Sequence, residues 1–130
     1  MKTLRVGVVG VGHIGKNHAR LYAETEAADF TAIHDTDAEN AARVAEQYKV
    51  RAASSLEEFA ELIDAASIAT PTNSHFAVAR PLLEKGKHLL IEKPIAEETA
   101  QASQLAELAL QRQLVLQVGH VERFNPVLSA

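Results

Sequence analysis

The sequence predicts a doubly wound α/β domain, in which helices cover both faces of one parallel sheet of six strands. Six short runs are almost entirely apolar, as is typical of strands that are buried on both faces. They alternate with stretches whose apolar residues recur at helical spacing. These runs cover residues 4–9, 29–34, 50–53, 65–69, 88–91 and 114–118. Because parallel strands are joined by right-handed crossovers, the simplest strand order is 3-2-1-4-5-6.

The first half of the chain carries three strands and three helices. The run 4–9 is rich in valine and stops at Gly10, and apolar spacing from Ile14 onward predicts the first helix. Asp37 suits the N-cap of the second helix, and Ser55 with Glu58 forms a capping pattern before the third. The predicted inward positions of the second and third helices are Ala41, Val44, Ala45 and Tyr48, then Leu56, Phe59, Ala60 and Ile63.

The second half continues the alternation. A helix is predicted over residues 75–85, and Gly86 suits the left-handed residue that ends it. Pro81 lacks a backbone N–H and therefore predicts a kink or a later start of this helix. The longest helix is predicted over residues 97–113. Its predicted inward positions are Ala102, Leu105, Ala106 and Ala109.

Composition excludes several classes of function. The chain has 130 residues, enough for one domain, and its 13 basic and 17 acidic residues are mixed along the sequence, which argues against nucleic-acid binding. There is no cysteine, and no apolar run approaches the roughly 20 residues of a membrane span. The histidines show no metal-ligand spacing, so no metal site is predicted. We expect a cytoplasmic domain.

Three glycines after the first strand form the pattern G-x-G-x-x-G. Gly10 would permit a tight turn, Gly12 would let the backbone approach a diphosphate, and Gly15 would let the helix pack closely on the strand. His13 and Ile14 lie between them, with their amides facing the phosphates. Since the start of a helix favours bound anions, the context predicts a Rossmann dinucleotide-binding domain.

An acidic residue stands where such a domain needs one. Asp35 ends the second strand, 20 positions after Gly15, where a carboxylate would accept hydrogen bonds from the adenosine ribose diol. The same charge would repel a 2′-phosphate, and Thr36 follows rather than an arginine that could neutralise it. We therefore predict NAD in preference to NADP. The alternative is that Asp35 is a helix cap or an exposed acid in a turn.

Two further motifs follow the fourth and fifth strands. These are TPTNSH at residues 70–75 and EKP at residues 92–94. With the glycines, they resemble the amino-terminal domain of the Gfo/Idh/MocA oxidoreductase family, over the whole chain through Phe124. The combination is more specific than the glycines alone. The resemblance implies a nicotinamide-dependent dehydrogenase that acts on a CH–OH group of a sugar or nucleotide sugar.

The resemblance also implies roles for individual residues. Lys93 would be the catalytic-site lysine, hydrogen-bonded to the substrate hydroxyl that loses its proton as hydride leaves the adjacent carbon. Glu92 would lie near the nicotinamide ribose, and Pro94 would follow a cis peptide. Positions that contact the cofactor are implied for Thr70, Pro71, Asn73 and His75.

Structural alternatives exist for several of these residues. Glu92 and Lys93 could form an ordinary surface ion pair. His75, and either Asn73 or Ser74, could instead cap the helix that begins there. His18 matches a family position but lies on the apolar side of its helix, so we interpret it as a core or phosphate-proximal residue rather than a catalyst.

The end of the chain, GHVERFNP at residues 119–126, resembles the family segment that leads into a second domain. It looks most like the nucleotide-sugar branch, the UDP-N-acetylglucosamine 3-dehydrogenase-like members, in which Arg123 could contact substrate or nicotinamide; a structural ion pair is the alternative. We expect residues 1–118 to form the dinucleotide-binding domain and residues 119–130 to begin the connection to a substrate domain that this chain lacks. Such a fragment would bind NAD without efficient turnover and would form homo-oligomers through Val121, Phe124 and Val127.

Two other functions compete with the dehydrogenase. A non-enzymatic NAD(H)-binding sensor or regulatory module would share the glycine motif but has no need of a lysine beside the nicotinamide. A reductase of the dihydrodipicolinate-reductase type shares the glycine pattern, but the EKP motif argues against it. Lys93 is therefore the residue that distinguishes the candidates.

Overall fold

The computed structural model describes residues 3–119, in which six strands alternate with five helices. The strands are β1 (Leu4–Val9), β2 (Ala28–His34), β3 (Arg51–Ala52), β4 (Ala65–Ile68), β5 (His88–Glu92) and β6 (Leu116–Gly119). The helices are α1 (His13–Glu24), α2 (Ala38–Tyr48), α3 (Leu56–Glu61), α4 (His75–Glu84) and α5 (Thr99–Gln111). One turn of 3-10 helix, Thr72–Ser74, leads into α4.

The sheet confirms the predicted topology. Its order is β3-β2-β1-β4-β5-β6, and every neighbouring pair is parallel. In the register, Val9 lies opposite both His34 and Ile68, and Ile68 lies opposite Ile91. The carboxyl ends of β1, β2, β4 and β5 are therefore level, and the segments that follow them emerge at one edge of the sheet.

Each face of the sheet carries its own apolar core. Val6 and Val8 of β1 pack with residues of α1 and α2, whereas Val9 packs with residues of α3, α4 and α5. This division follows from the alternation of side chains along a strand. The doubly wound arrangement thus results from central strands that are apolar on both sides.

Helices α2 and α3 begin directly after their predicted capping residues. The Asp37 side chain accepts from the Asn40 N–H at 3.1 Å, and the Ser55 hydroxyl accepts from the Glu58 N–H at 3.1 Å. The Glu58 carboxylate reaches the N–H of Ser54 at 2.6 Å rather than that of Ser55. Both caps satisfy donors that have no partner inside a helix.

Three details differ from the predictions. The predicted later start of α4 is wrong, because the helix begins at His75 and runs through Pro81. Ala106 is exposed, and Leu108 packs on the core in its place, because the buried side of α5 is centred on Leu105 and Ala109. β6 is an edge strand with Val118 partly exposed, so it is not covered on both faces.

The predicted domain boundary stays a prediction. β6 extends one residue past the expected limit, to Gly119, and the rest of the connecting segment lies outside the described residues, as do Val121, Phe124 and Val127. Within residues 3–119, no helix is both long enough and apolar enough to cross a bilayer.

An ion pair joins the amino ends of β1 and β4, on the edge opposite the glycines. Arg5 donates to Asp64 through Nη2 at 2.9 Å, Nε at 3.2 Å and its backbone N–H at 2.9 Å. The hydrogen bonds from the Arg5 side chain and backbone lower the pKa of Asp64 to about 2. The pKa of Asp64 is therefore lower in the folded protein than in the unfolded chain.

This pair makes a prediction for the pH dependence of stability. The unfolded pKa of an aspartate is about 3.9, so the contribution of Asp64 is complete above about pH 5 and is lost as pH falls through about 2. We expect Asp64→Asn to lower the free energy of urea unfolding at pH 6, with a difference from wild type that shrinks below pH 4. A difference that stays constant down to pH 2 would contradict the assignment.

Candidate functional site

A crevice of about 750 Å³ lies at the carboxyl edge of the sheet. This volume falls in the range of small-molecule sites and exceeds that of a groove of about 200 Å³ between α4 and α5. Predicted cofactor residues line it together, namely Gly10, Gly12, His13, Ile14, Asp35, Thr70, Pro71 and Asn73. Residues that follow three separate strands, β1, β2 and β4, thus meet in one cavity.

The three glycines of the motif differ in the space that surrounds them. Gly10 has a φ of +89°, and a Cβ there would lie 2.9 Å from the Ala69 carbonyl carbon. A Cβ on Gly15 would lie 1.7 Å from the Gly10 carbonyl oxygen, so only glycine lets α1 approach β1 this closely. A Cβ on Gly12 would meet no atom of residues 3–119 within 4 Å. Gly12 therefore borders open space that a ligand can enter.

The start of α1 is left without a side-chain cap. Gly12 is its N-cap, no side chain among the described residues accepts from its first turn, and that turn contains no acidic residue. By contrast, α2 and α3 are capped by Asp37 and Ser55. The free N–H groups and the helix dipole give this end of α1 a partial positive charge at the crevice, which suits an anion.

Asp35 holds the glycine loop as well as facing the crevice. Its Oδ2 accepts from the Val11 N–H at 2.8 Å, and its Oδ1 accepts from the Asp37 N–H at 2.9 Å. It does not cap α2, because Asp37 does. A carboxylate offers about four acceptor sites, so two remain for a ribose diol.

The segment after β4 presents an unsatisfied hydroxyl. The Oγ1 atom of Thr70 is buried and has no hydrogen-bond partner within residues 3–119. The Ser74 hydroxyl donates to the Pro71 carbonyl at 2.7 Å, and neither Ser74 nor Asn73 caps α4 through its side chain. Since a buried polar group without a partner is costly, the Thr70 hydroxyl fits a site that is completed by a polar ligand.

The structure places His75 away from the crevice surface. Its side chain is buried, with 1% exposure, and its Nδ1 lies 2.9 Å from the Pro94 carbonyl oxygen. Its Nε2 lies 2.8 Å from the Thr70 carbonyl oxygen. Both ring nitrogens are thus occupied by the protein, and His75 joins the segment after β4 to the segment after β5. As placed, it supports crevice residues rather than facing a cofactor.

The first two residues of the EKP motif differ in burial: Glu92 is buried and Lys93 is exposed. Glu92 is 7% exposed, and its Oε1 lies 2.7 Å from Nε2 of His18 in α1, so it does not belong to an ordinary surface ion pair. Burial lowers the pKa of His18, and Glu92 opposes that shift to a smaller extent. Lys93 is exposed at the same edge of the sheet, and the Lys93–Pro94 peptide is cis, as the family resemblance implies.

Seven residues that line the crevice were not among the predicted cofactor contacts: Val9, His34, Thr36, Leu56, Ala69, Ser74 and Val78. His34 and Thr36 flank Asp35 at the end of β2, so their position along the chain was a usable signal. Leu56 and Val78 come from helices that approach the crevice only in the folded protein. Arg123 lies outside the described residues.

The donor set fits a dinucleotide. The uncapped start of α1 and the open space at Gly12 suit a diphosphate, and the remaining acceptor sites of Asp35 suit a ribose diol. Within residues 3–119, no cluster of three or more histidine or acidic side chains is arranged to hold a metal ion.

Known proteins are similar to this chain in sequence and fold. The chain is 42% identical over 125 residues to UDP-N-acetylglucosamine 3-dehydrogenase of Acidithiobacillus ferrooxidans, covering 96% of the chain and 39% of that relative. The solved structure of that enzyme superposes with a TM-score of 0.88 over 99% of the chain and 42% of the enzyme. Inositol 2-dehydrogenase of Corynebacterium glutamicum is 37% identical, covering 96% of the chain and 39% of its own length.

A solved structure with a bound cofactor is also similar. GenD2 from gentamicin A biosynthesis, in complex with NAD, is 30% identical with a TM-score of 0.87, over 92% of the chain and 35% of GenD2. The chain spans about two fifths of the length of the curated relatives named above. Residues 4–120 match the model of the Gfo/Idh/MocA family, described as an oxidoreductase family with an NAD-binding Rossmann fold. The chain therefore belongs to the Gfo/Idh/MocA oxidoreductase family and forms its NAD-binding Rossmann domain.

Proposed function

We propose that the protein carrying this chain is an NAD-dependent dehydrogenase that oxidises a CH–OH group of a sugar or nucleotide sugar to a ketone. The observation that carries the proposal is the level alignment of four strand ends. It brings the glycine loop, Asp35, Thr70 and Lys93 to one edge of the sheet. The similarity to UDP-N-acetylglucosamine 3-dehydrogenase supports a nucleotide sugar as the substrate.

This chain's residues divide the binding of the cofactor among them. The first-turn amides of α1 hold the diphosphate, and Gly12 leaves room for it. Asp35 accepts from the ribose diol, and its charge disfavours a 2′-phosphate, which selects NAD over NADP. When bound, the nicotinamide supplies a hydride acceptor. Thr70, Pro71 and Asn73 form the crevice wall that follows β4.

Lys93 acts on the substrate. With NAD bound, the nicotinamide would accept the hydride of the C–H bond, and the hydroxyl proton would pass to a general base of the proposed substrate domain. The Lys93 ammonium donates a hydrogen bond to that hydroxyl oxygen and stabilises the negative charge that develops on it. His75 supports this arrangement by bonding the segment after Lys93 to Thr70. A sensor or regulatory module would have no use for this exposed ammonium.

The proposal extends to the location and the assembly of the protein. We propose a cytoplasmic homo-oligomer in which Arg123 contacts substrate or nicotinamide and residues 119–130 begin the connection to a substrate domain. Val115 and Val118, which are exposed along the edge strand β6 and the segment before it, support a contact surface there.

Two glycine variants separate cofactor binding from folding. A methyl group at Gly12 meets no atom of the described part of the chain within 4 Å, so we expect Gly12→Ala to melt within a few degrees of wild type but to bind NAD at least tenfold more weakly. Gly15→Ala is its matched control, because its methyl group collides with the Gly10 carbonyl and should cost about 1–3 kcal/mol of stability. Thermal melts and calorimetric titration with NAD measure both effects. Normal NAD affinity in Gly12→Ala would refute the diphosphate position.

Asp35→Asn tests the choice of cofactor. We expect about tenfold weaker NAD binding and a smaller preference for NAD over NADP, because the charge facing the 2′ position is removed. Asp37→Asn removes a charge two residues away and keeps a good N-cap, so it should leave the preference unchanged. Calorimetry with both cofactors gives the ratio. Equal ratios in Asp35→Asn and wild type would exclude this role for Asp35.

Lys93→Met tests the enzymatic function. In the full-length protein that carries this chain, with NAD and a panel of sugars and nucleotide sugars, we expect kcat to fall by about 10²–10³, typical of losing one donor to a developing oxyanion, while the Kd for NAD stays within threefold. Lys85→Met changes an exposed lysine that follows α4, at the opposite edge of the sheet, and should leave kcat unchanged. NAD binding without turnover on any of these substrates in the wild-type full-length protein would favour the sensor.

A further inference from the structure

The Val11 residue between β1 and α1 is held on both sides by residues that follow β2. Its N–H donates to Oδ2 of Asp35, and its carbonyl oxygen accepts from Nδ2 of Asn40 at 2.8 Å. Asn40 is half-buried in the first turn of α2. Neither the glycine motif nor the family resemblance points to Asn40.

The Asn40 side chain has a defined orientation. Its Oδ1 accepts from Nη2 of Arg43 at 2.9 Å, which leaves the amide nitrogen to donate to Val11. The backbone N–H of Asn40 donates to Asp37, and the N–H of Asp37 donates to Asp35. The hydrogen bonds therefore form a closed circuit through Val11, Asp35, Asp37 and Asn40. The circuit ties the glycine loop to the start of α2.

The geometry of a peptide bond extends this contact to Gly12. The Val11 carbonyl and the Gly12 N–H belong to one peptide plane, and within residues 3–119 the cis peptide is the one at Lys93–Pro94. In a trans peptide, the C=O and N–H groups point in opposite directions. Since Asn40 holds the carbonyl toward α2, the Gly12 N–H is turned away from α2, and Gly12 lines the crevice.

We propose that Asn40 is a positioning residue for the diphosphate of the dinucleotide. By holding the Val11 carbonyl, it fixes the peptide plane that presents the Gly12 N–H as a donor to a phosphate oxygen. Asn40 itself does not touch the ligand. This inference rests on the proposed function, because it requires the dinucleotide to lie in the crevice with its diphosphate at the glycine loop.

The test compares two ligands that share adenine and ribose but differ in phosphate. ADP and adenosine are titrated into ¹⁵N-labelled wild type and Asn40→Leu, and Kd values are obtained from amide chemical shifts. We expect Asn40→Leu to bind ADP about five- to tenfold more weakly and adenosine with less than twofold change. In wild type, the Gly12 cross-peak should shift with ADP much more than with adenosine. Gln47→Leu, an exposed amide on the same helix, should match wild type for both ligands.

Two results for a folded Asn40→Leu variant would contradict the inference. Equal weakening of ADP and adenosine would indicate a general structural role, and unchanged ADP affinity would remove the role altogether. If Asn40→Leu does not fold, Asn40→Ser replaces it, because the shorter side chain cannot reach Val11. If wild type binds NAD but the Asn40 variants match it, this inference fails alone. If wild type binds neither NAD nor ADP, the proposed function fails with it.

Discussion

The placement of α1 against the sheet is the constraint on which the crevice depends. Gly15 lets the helix approach the Gly10 carbonyl, closer than any side chain would permit. Two buried polar contacts fix the same helix to other strands, Tyr22 to Ser67 of β4 at 2.5 Å and His18 to Glu92 of β5 at 2.7 Å. Burial raises the pKa of Tyr22 to about 12, so its hydroxyl stays neutral at physiological pH. One helix is thereby bound to β1, β4 and β5.

These contacts explain why polar groups lie beneath a helix whose packing is otherwise apolar. Hydrophobic burial is non-directional, so the apolar cluster around Val8 and Ala19 stabilises α1 without specifying its position along its own axis. Hydrogen bonds require particular distances and angles, so Tyr22 and His18 specify that position. The uncapped amides of the first turn are then held at the crevice instead of sliding along the strand. Affinity for an anion benefits because the donors are already in place.

The features predicted from the sequence are those that depend on neighbours along the chain. The bounds of β1, the caps at Asp37 and Ser55, and the order of the strands follow from apolar spacing, local hydrogen bonding and the rule for crossovers. The contacts of His75 with Thr70 and Pro94 could not be predicted, because 19 positions separate His75 from Pro94. A motif identifies which residues matter, but their orientation depends on elements that meet only in the folded protein.

Lys93 and the crevice are two separable parts of the proposed site. Residues that line the crevice come mainly from the ends of β1, β2 and β4, where the invariable parts of a dinucleotide would lie. Lys93 follows β5, farther along the sheet, and its exposed ammonium suits any hydroxyl brought to it. Under the proposed function, neither the glycine loop nor Asp35 depends on which sugar carries that hydroxyl. The surface that selects the substrate can therefore change while this domain keeps its cofactor geometry, which is how one domain serves oxidoreductases with different substrates.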